Sequence, residues 1–213
     1  MAAFDLDEQE QISELKAWWA RYGSLLTGVA LILTFGLLGW TGWQHYQIRQ
    51  SQEAAGTYAQ LEKAILSQDS AKARELSGHI MENFASSIYA DLAAMKSANL
   101  QAQSGDLANA HVQLKWVVEK GHDDGLRAIA RLRLAAVLAD RGMFDEALSQ
   151  LQTIPAGQKM RFEDARGDVL AAQGKLEEAK TAWKSALAEL DLADAGADRV
   201  KKNIETKLET VGL

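Results

Sequence analysis

Between Leu25 and Trp43 the chain runs for nineteen residues without a charge, and any fold must dispose of that stretch. At ~1.5 Å of rise per residue it spans roughly 28 Å as a helix, close to the ~30 Å hydrocarbon thickness of a bilayer. Trp18, Trp19 and Tyr22 stand before it and Trp40, Trp43 and Tyr46 close it, where amphipathic rings favour the headgroup level. One membrane-spanning helix is the reading these features favour. A buried core helix could also be apolar all round, but no other stretch of the chain is comparably apolar. A cleaved signal peptide needs a basic start and a small-x-small cleavage site. Here Asp5, Asp7, Glu8, Glu10 and Glu14 outweigh Lys16 and Arg21 ahead of the run, and Trp-Gln-His-Tyr follows it. The helix is therefore expected to stay attached.

The expected layout is a short tail over residues 1–24, the span over 25–43 and one domain over 44–213. Lys16 and Arg21 before the span against Arg49 and Lys63 after it leave the positive-inside rule near a tie. A long downstream domain translocates largely regardless of loop charge, so we expect a cytoplasmic tail and an exported carboxyl domain. Of the net charge of −6, the tail carries −3 and the span none, which leaves −3 on the remaining 170 residues. That balance argues against a nucleic-acid surface. With no cysteine there is no disulfide framework. Proline occurs once, at Pro155, and alanine and leucine are abundant, so the class is all-α.

Three segments share the pattern Gly-x-(Leu/Phe)-x-x-Ala: Gly105 to Ala110, Gly142 to Ala147 and Gly174 to Ala179, spaced by 37 and 32 residues. Four residues after each alanine stands a large apolar residue, Leu114, Leu151 or Trp183. Seven before each glycine stands a small one, Ala98, Ala135 or Gly167. These are the marks of a helix, a tight glycine turn and a second helix packed back on the first. The period and positions resemble the tetratricopeptide repeat, a helical hairpin of about 34 residues. Residues 58–84 fit a degenerate first repeat with Ala73 in the alanine position, although no glycine marks its turn. Val200, Ile204, Leu208 and Val211 form an apolar stripe on a polar terminal helix, as a cap on an open solenoid requires. The expected architecture is an N-terminal transmembrane helix followed by a tetratricopeptide-like solenoid with a C-terminal capping helix.

An acidic tail, one apolar span, Tyr89-Ala-Asp-Leu-Ala-Ala-Met, Leu114-Lys-Trp-Val-Val, Ala130-Arg-Leu-Arg-Leu-Ala and Ala182-Trp-Lys-Ser-Ala-Leu together resemble the YfgM-like family over nearly the whole chain. The resemblance implies anchoring in the bacterial inner membrane and a periplasmic tetratricopeptide-like domain. It also implies a role as an ancillary subunit of the SecYEG translocon beside the membrane-anchored chaperone PpiD, with unfolded exported proteins as further partners. A dimerising envelope scaffold that recruits other proteins without binding clients is the alternative. Where the family often has tyrosine near the start of its last helix, this chain has Trp183.

No residue pattern supports catalysis or a cofactor. His45, His79, His111 and His122 lie far apart with no metal-ligand spacing, and neither a nucleophile motif nor a phosphate-binding glycine loop occurs. The pair Asp123-Asp124 sits between Gly121 and Gly125 in an expected loop, and Glu177-Glu178 opens a helix, where carboxylates favour the dipole.

Binding candidates come from the register instead. Aligning the three glycines places Leu92, Met95 and Asn99, then Ile129, Leu132 and Ala136, then Arg161, Asp164 and Asp168 on the side formed by the first helices. This set lacks the lysine and asparagine pattern of a carboxylate clamp; only Asn99 fits. A peptide groove and simple packing against a neighbouring or terminal helix both remain open. In the span, Gly28, Ile32, Phe35, Gly39 and Gly42 share one side, where small residues would let another helix approach closely.

Overall fold

A computed structural model describes residues 3–191, 193 and 196–212, with side chains from residue 11 onward. Among the described residues all regular structure is helical, in the order α1 (Ala3–Leu66), α2 (Ser70–Asn83), α3 (Ile88–Gln103), α4 (Leu107–Lys120), α5 (Asp124–Asp140), α6 (Phe144–Gln150), α7 (Lys159–Ala172), α8 (Leu176–Ala188) and α9 (Ala197–Gly212). The chain divides into two compact units, residues 1–50 and residues 51–213.

In the first unit the apolar run has almost no protein around it. Leu31, Ile32, Leu33, Phe35, Leu37 and Leu38 are all exposed, and α1 is the one described helix long and apolar enough to cross a membrane. Polar groups within the run satisfy themselves. Thr27 and Thr34 each donate a hydroxyl to the carbonyl four residues back at 2.8 Å, and Thr41 donates to Leu38 at 3.1 Å. In hydrocarbon an unpaired hydroxyl would cost several kcal/mol, about the figure for any stranded polar group. The aromatic borders are exposed too, with Trp18 leaning on Tyr22 and Trp43 on Tyr46 at ring separations of 5.7 and 6.2 Å. Helix α1 continues through Gly56 to Leu66 without a break.

The second unit is a series of hairpins, and the turn glycines explain why. Gly105, Gly142 and Gly174 adopt φ of +83°, +75° and +83°, the left-handed conformation that a side chain disfavours. Around each, the next residue's N–H reaches back to a carbonyl in the last helical turn: Asp106 to Gln101 at 2.8 Å, Met143 to Leu138 at 2.9 Å and Lys175 to Leu170 at 2.9 Å. Each turn is thus a Schellman cap that satisfies a carbonyl left over at the helix end. The alanine five residues on is fully buried in every case, at Ala110, Ala147 and Ala179, because two helices meet there with no room for more.

The degenerate first repeat is real, and it turns at a glutamine. Gln68 takes φ +58°, its N–H bonds Ile65 O at 3.0 Å, and Asp69 N–H bonds Ala64 O at 2.9 Å. Ala73, five residues on, is 0% exposed. Residues 51–66 of α1 therefore form the first helix of a hairpin with α2, and four hairpins share one turn geometry. An L-residue in this conformation costs roughly 1–2 kcal/mol, partly offset in glycine by the greater entropy of its unfolded chain. Gln68→Gly is accordingly expected to stabilise the unit by about 0.5–1 kcal/mol, seen as a rise of about 2 °C in thermal unfolding followed by circular dichroism.

Successive hairpins share a core. Leu61, Ala73 and Ile80 of the first pack with Ala90, Ala93 and Leu100 of α3; Leu134, Leu138 and Phe162 centre the middle; and Leu170, Ala179, Trp183 and Ala186 close the end against Ile204 of α9. Ile204 is fully buried while Val200, Leu208 and Val211 are half-buried, so the expected terminal stripe is the face α9 lays down.

Candidate functional site

First helices pack on one another in series, α3 against α5 and α5 against α7, and form one continuous side of the second unit. Ion pairs fix the rungs along it. Glu62, six residues before the turn residue Gln68, pairs with Lys96, nine before Gly105, and the Lys96 ammonium also lies 5.3 Å from the centre of the Tyr58 ring. At the other end Asp168, six before Gly174, pairs with Lys207 of α9 at 2.7 Å. Lys207 thus occupies the place that a residue nine before the turn would hold in a further repeat.

This geometry sorts the register-derived residues. Asn99, Ala136 and Arg161 are exposed, and Leu92, Ile129 and Leu132 are half-buried, the latter two packed against the middle core. Met95 is 5% exposed and belongs to that core; its flexible thioether fills space between helices, which corrects its placement on a groove wall. Asp164 and Asp168 are near each other but engaged. Lys207 bonds Asp164 at 2.8 Å as well as Asp168, and the Trp183 indole N–H donates to Asp168 Oδ1 at 3.0 Å. The Lys207 ammonium also sits 5.9 Å from the Trp183 ring centre. The terminal helix therefore engages Asp164 and Asp168 at the acidic end of this side.

Electrostatics agree with a closed latch at that end. Burial raises the Asp164 carboxyl above its usual range, against the pull of the Lys207 hydrogen bond. Burial would lower the Lys207 ammonium, yet its bonds to Asp164 and Asp168 hold it above the ordinary lysine value. Register reasoning missed Lys207 because its partners lie 43 and 39 residues away in sequence.

The paired acids do structural work. Asp123 accepts the Leu126 N–H at 2.7 Å as the N-cap of α5, Asp124 pairs with Arg127, and Glu177 holds Lys180 at 2.8 Å in the first turn of α8. Among the described residues no cluster of histidine and acidic side chains could hold a metal ion. In the span, nothing lies within 4 Å of where a Cβ would stand at Gly28, Gly39 or Gly42, and Ile32 and Phe35 are 73% and 69% exposed.

The tetratricopeptide repeat-like domain family matches residues 16–213. A protein of Neisseria gonorrhoeae named ancillary SecYEG translocon subunit is 30% identical over 211 residues, covering 96% of this chain and 99% of the relative. Proteins of the same name from Escherichia coli and Aggregatibacter actinomycetemcomitans are 29% and 28% identical over 84% and 86% of this chain, and over 86% and 90% of their own lengths. No solved structure matches the chain. Span, hairpin turns and capping helix all fall within the family match over residues 16–213, and the chain belongs to the YfgM-like family of tetratricopeptide repeat-like proteins.

Proposed function

We propose that the chain is a membrane-anchored, non-enzymatic interaction module that serves as an ancillary subunit of the SecYEG translocon. Residues 1–24 form its cytoplasmic tail, 25–43 its inner-membrane span and 44–213 a periplasmic tetratricopeptide-like domain that works beside a PpiD-like chaperone on newly exported chains. The observation that carries this reading is the near end-to-end match to a relative named for that role, which covers anchor and repeats alike. Helical repeats suit it, because stacked hairpins offer an extended surface of side chains without needing a closed pocket.

Affinity purification of the tagged full chain from mildly solubilised inner membranes is expected to recover the SecY, SecE and SecG subunits together with the PpiD-like chaperone. Protease added outside spheroplasts is expected to digest residues 44–213 and spare the tail. Recovery of other membrane proteins but no translocon subunit would remove the partner assignment, and a domain shielded until the membrane is broken would reverse the orientation.

A further inference from the structure

Charges in the second unit are unevenly matched. About half of the cations in the unit are spent within or between helices, as in Lys72 with Glu75, Lys159 with Glu189 and Lys180 with Glu177. Four exposed cations on or beside the side formed by the first helices have no ion-pair partner among the described residues: Arg133, Arg161, Arg199 and Lys202. Their register is ordered. Arg133 stands nine before Gly142, the place Lys96 holds one repeat earlier; its counterpart on the preceding helix, six before Gly105, is the neutral Asn99 where Lys96 has Glu62. Arg161 shares its row with the half-buried Leu92 and Ile129. Arg199 and Lys202 line a groove of about 520 Å³ between α9 and Trp183. Three acids of this side are already neutralised, Glu62 by Lys96 and Asp164 and Asp168 by Lys207, while Asp140 at the end of α5 is exposed. A domain that is acidic in sum thus presents unpaired positive charge along one side, over half-buried apolar side chains.

We infer that this side is a cationic track that binds an extended acidic segment of another polypeptide, with carboxylates on Arg133, Arg161, Arg199 and Lys202 and apolar side chains on Leu92, Ile129 and Leu132. A row of guanidinium groups suits carboxylates because each can be gripped by two donors in one plane. Spacing along a solenoid suits an extended chain, since rungs recur at intervals a peptide can follow. A compact folded partner would have to match four separate rungs at once. This inference deepens the reading of the domain as an interaction module and rests on that reading.

The test uses the full-length chain in nanodiscs of zwitterionic lipid and fluorescence anisotropy of labelled twelve-residue peptides alternating glutamate, glutamine or lysine with leucine. The glutamate peptide is expected to bind at least tenfold more tightly than the glutamine one, the lysine peptide not at all, and the affinity to fall with salt as screening predicts. Arg133→Glu with Arg161→Glu should weaken the glutamate peptide at least tenfold with an unchanged melting curve. Arg133→Gln with Arg161→Gln should give a smaller loss in the same direction, and it serves as the readout if the reversal perturbs folding. Equal binding of the glutamate and glutamine peptides, undiminished binding by both variants, or full displacement by dihexanoyl phosphatidylglycerol at matched charge would each overturn the inference. The first two leave no role for charge and the third makes the ligand a lipid. Translocon subunits that still co-purify under any of these results would leave the proposed function standing, so the two can fail separately.

Discussion

Gly167→Ala is expected to destabilise the repeat unit by about 2 kcal/mol, although alanine is the better helix former. A Cβ at this position would stand 2.9 Å from Trp183 Cε2 and closer still to Cδ1 and Nε1. That indole is 3% exposed and bonded to Asp168, so it has no free direction in which to yield. Overpacking of a rigid core costs about 3 kcal/mol in a severe case, while helix propensity returns about 1 kcal/mol, and packing wins. The melting temperature should fall by about 4–8 °C. The register supplies the rescue. Sixteen residues separate Gly167 from Trp183, Ala98 from Leu114 and Ala135 from Leu151, so the same contact is built from a small and a large residue in each of three repeats. Trp183→Leu alone should be destabilising, through a cavity and the lost bond to Asp168. Combined with Gly167→Ala it should be less destabilising than the sum of the single changes by about 2 kcal/mol. Strict additivity in calorimetry would mean that the two positions do not share a contact.

The same pair shows what the sequence reveals and what it conceals. Read alone, Trp183 is a substitution in a family position; placed beside Gly167, it is one half of an exchange of volume. Gly105, Gly142 and Gly174 are legible because a left-handed turn leaves glycine little competition, so the backbone demand is written in the residue type. Gln68 makes the same turn with no such mark, since the packed hairpin on either side holds it there, and only the buried Ala73 five residues later hints at it. Surface assignment follows a similar rule. Helical register places Asn99, Ala136 and Arg161 on the outside, yet it cannot tell that Met95 turns into the core or that Lys207 spends Asp164 and Asp168. Those outcomes depend on contacts between helices far apart in sequence.

If the glycine face of the span binds the translocon or the PpiD-like anchor of the proposed function, Gly39→Leu combined with Gly42→Leu is expected to abolish their recovery in mild detergent while leaving membrane insertion intact. At 100° per residue Gly28, Ile32, Phe35, Gly39 and Gly42 fall within an arc of about 80° on the helix. The three glycines there expose backbone with nothing within 4 Å of the missing Cβ atoms. Between helices in lipid there is little hydrophobic drive, so association depends on close backbone approach, and two leucines would hold a partner off by the width of their side chains. Insertion should survive because leucine favours the hydrocarbon region by a few tenths of a kcal/mol, about −0.3 to −0.6 at the helix centre. Leu33→Ile with Leu37→Ile lies off this arc and should leave recovery unchanged, which separates the face from the general hydrophobicity of the span. Undiminished recovery with the glycine variant would place recognition in residues 51–213, and the long apolar helix would then serve only to keep the repeats at the membrane surface, where a diffusing partner meets them at raised local concentration.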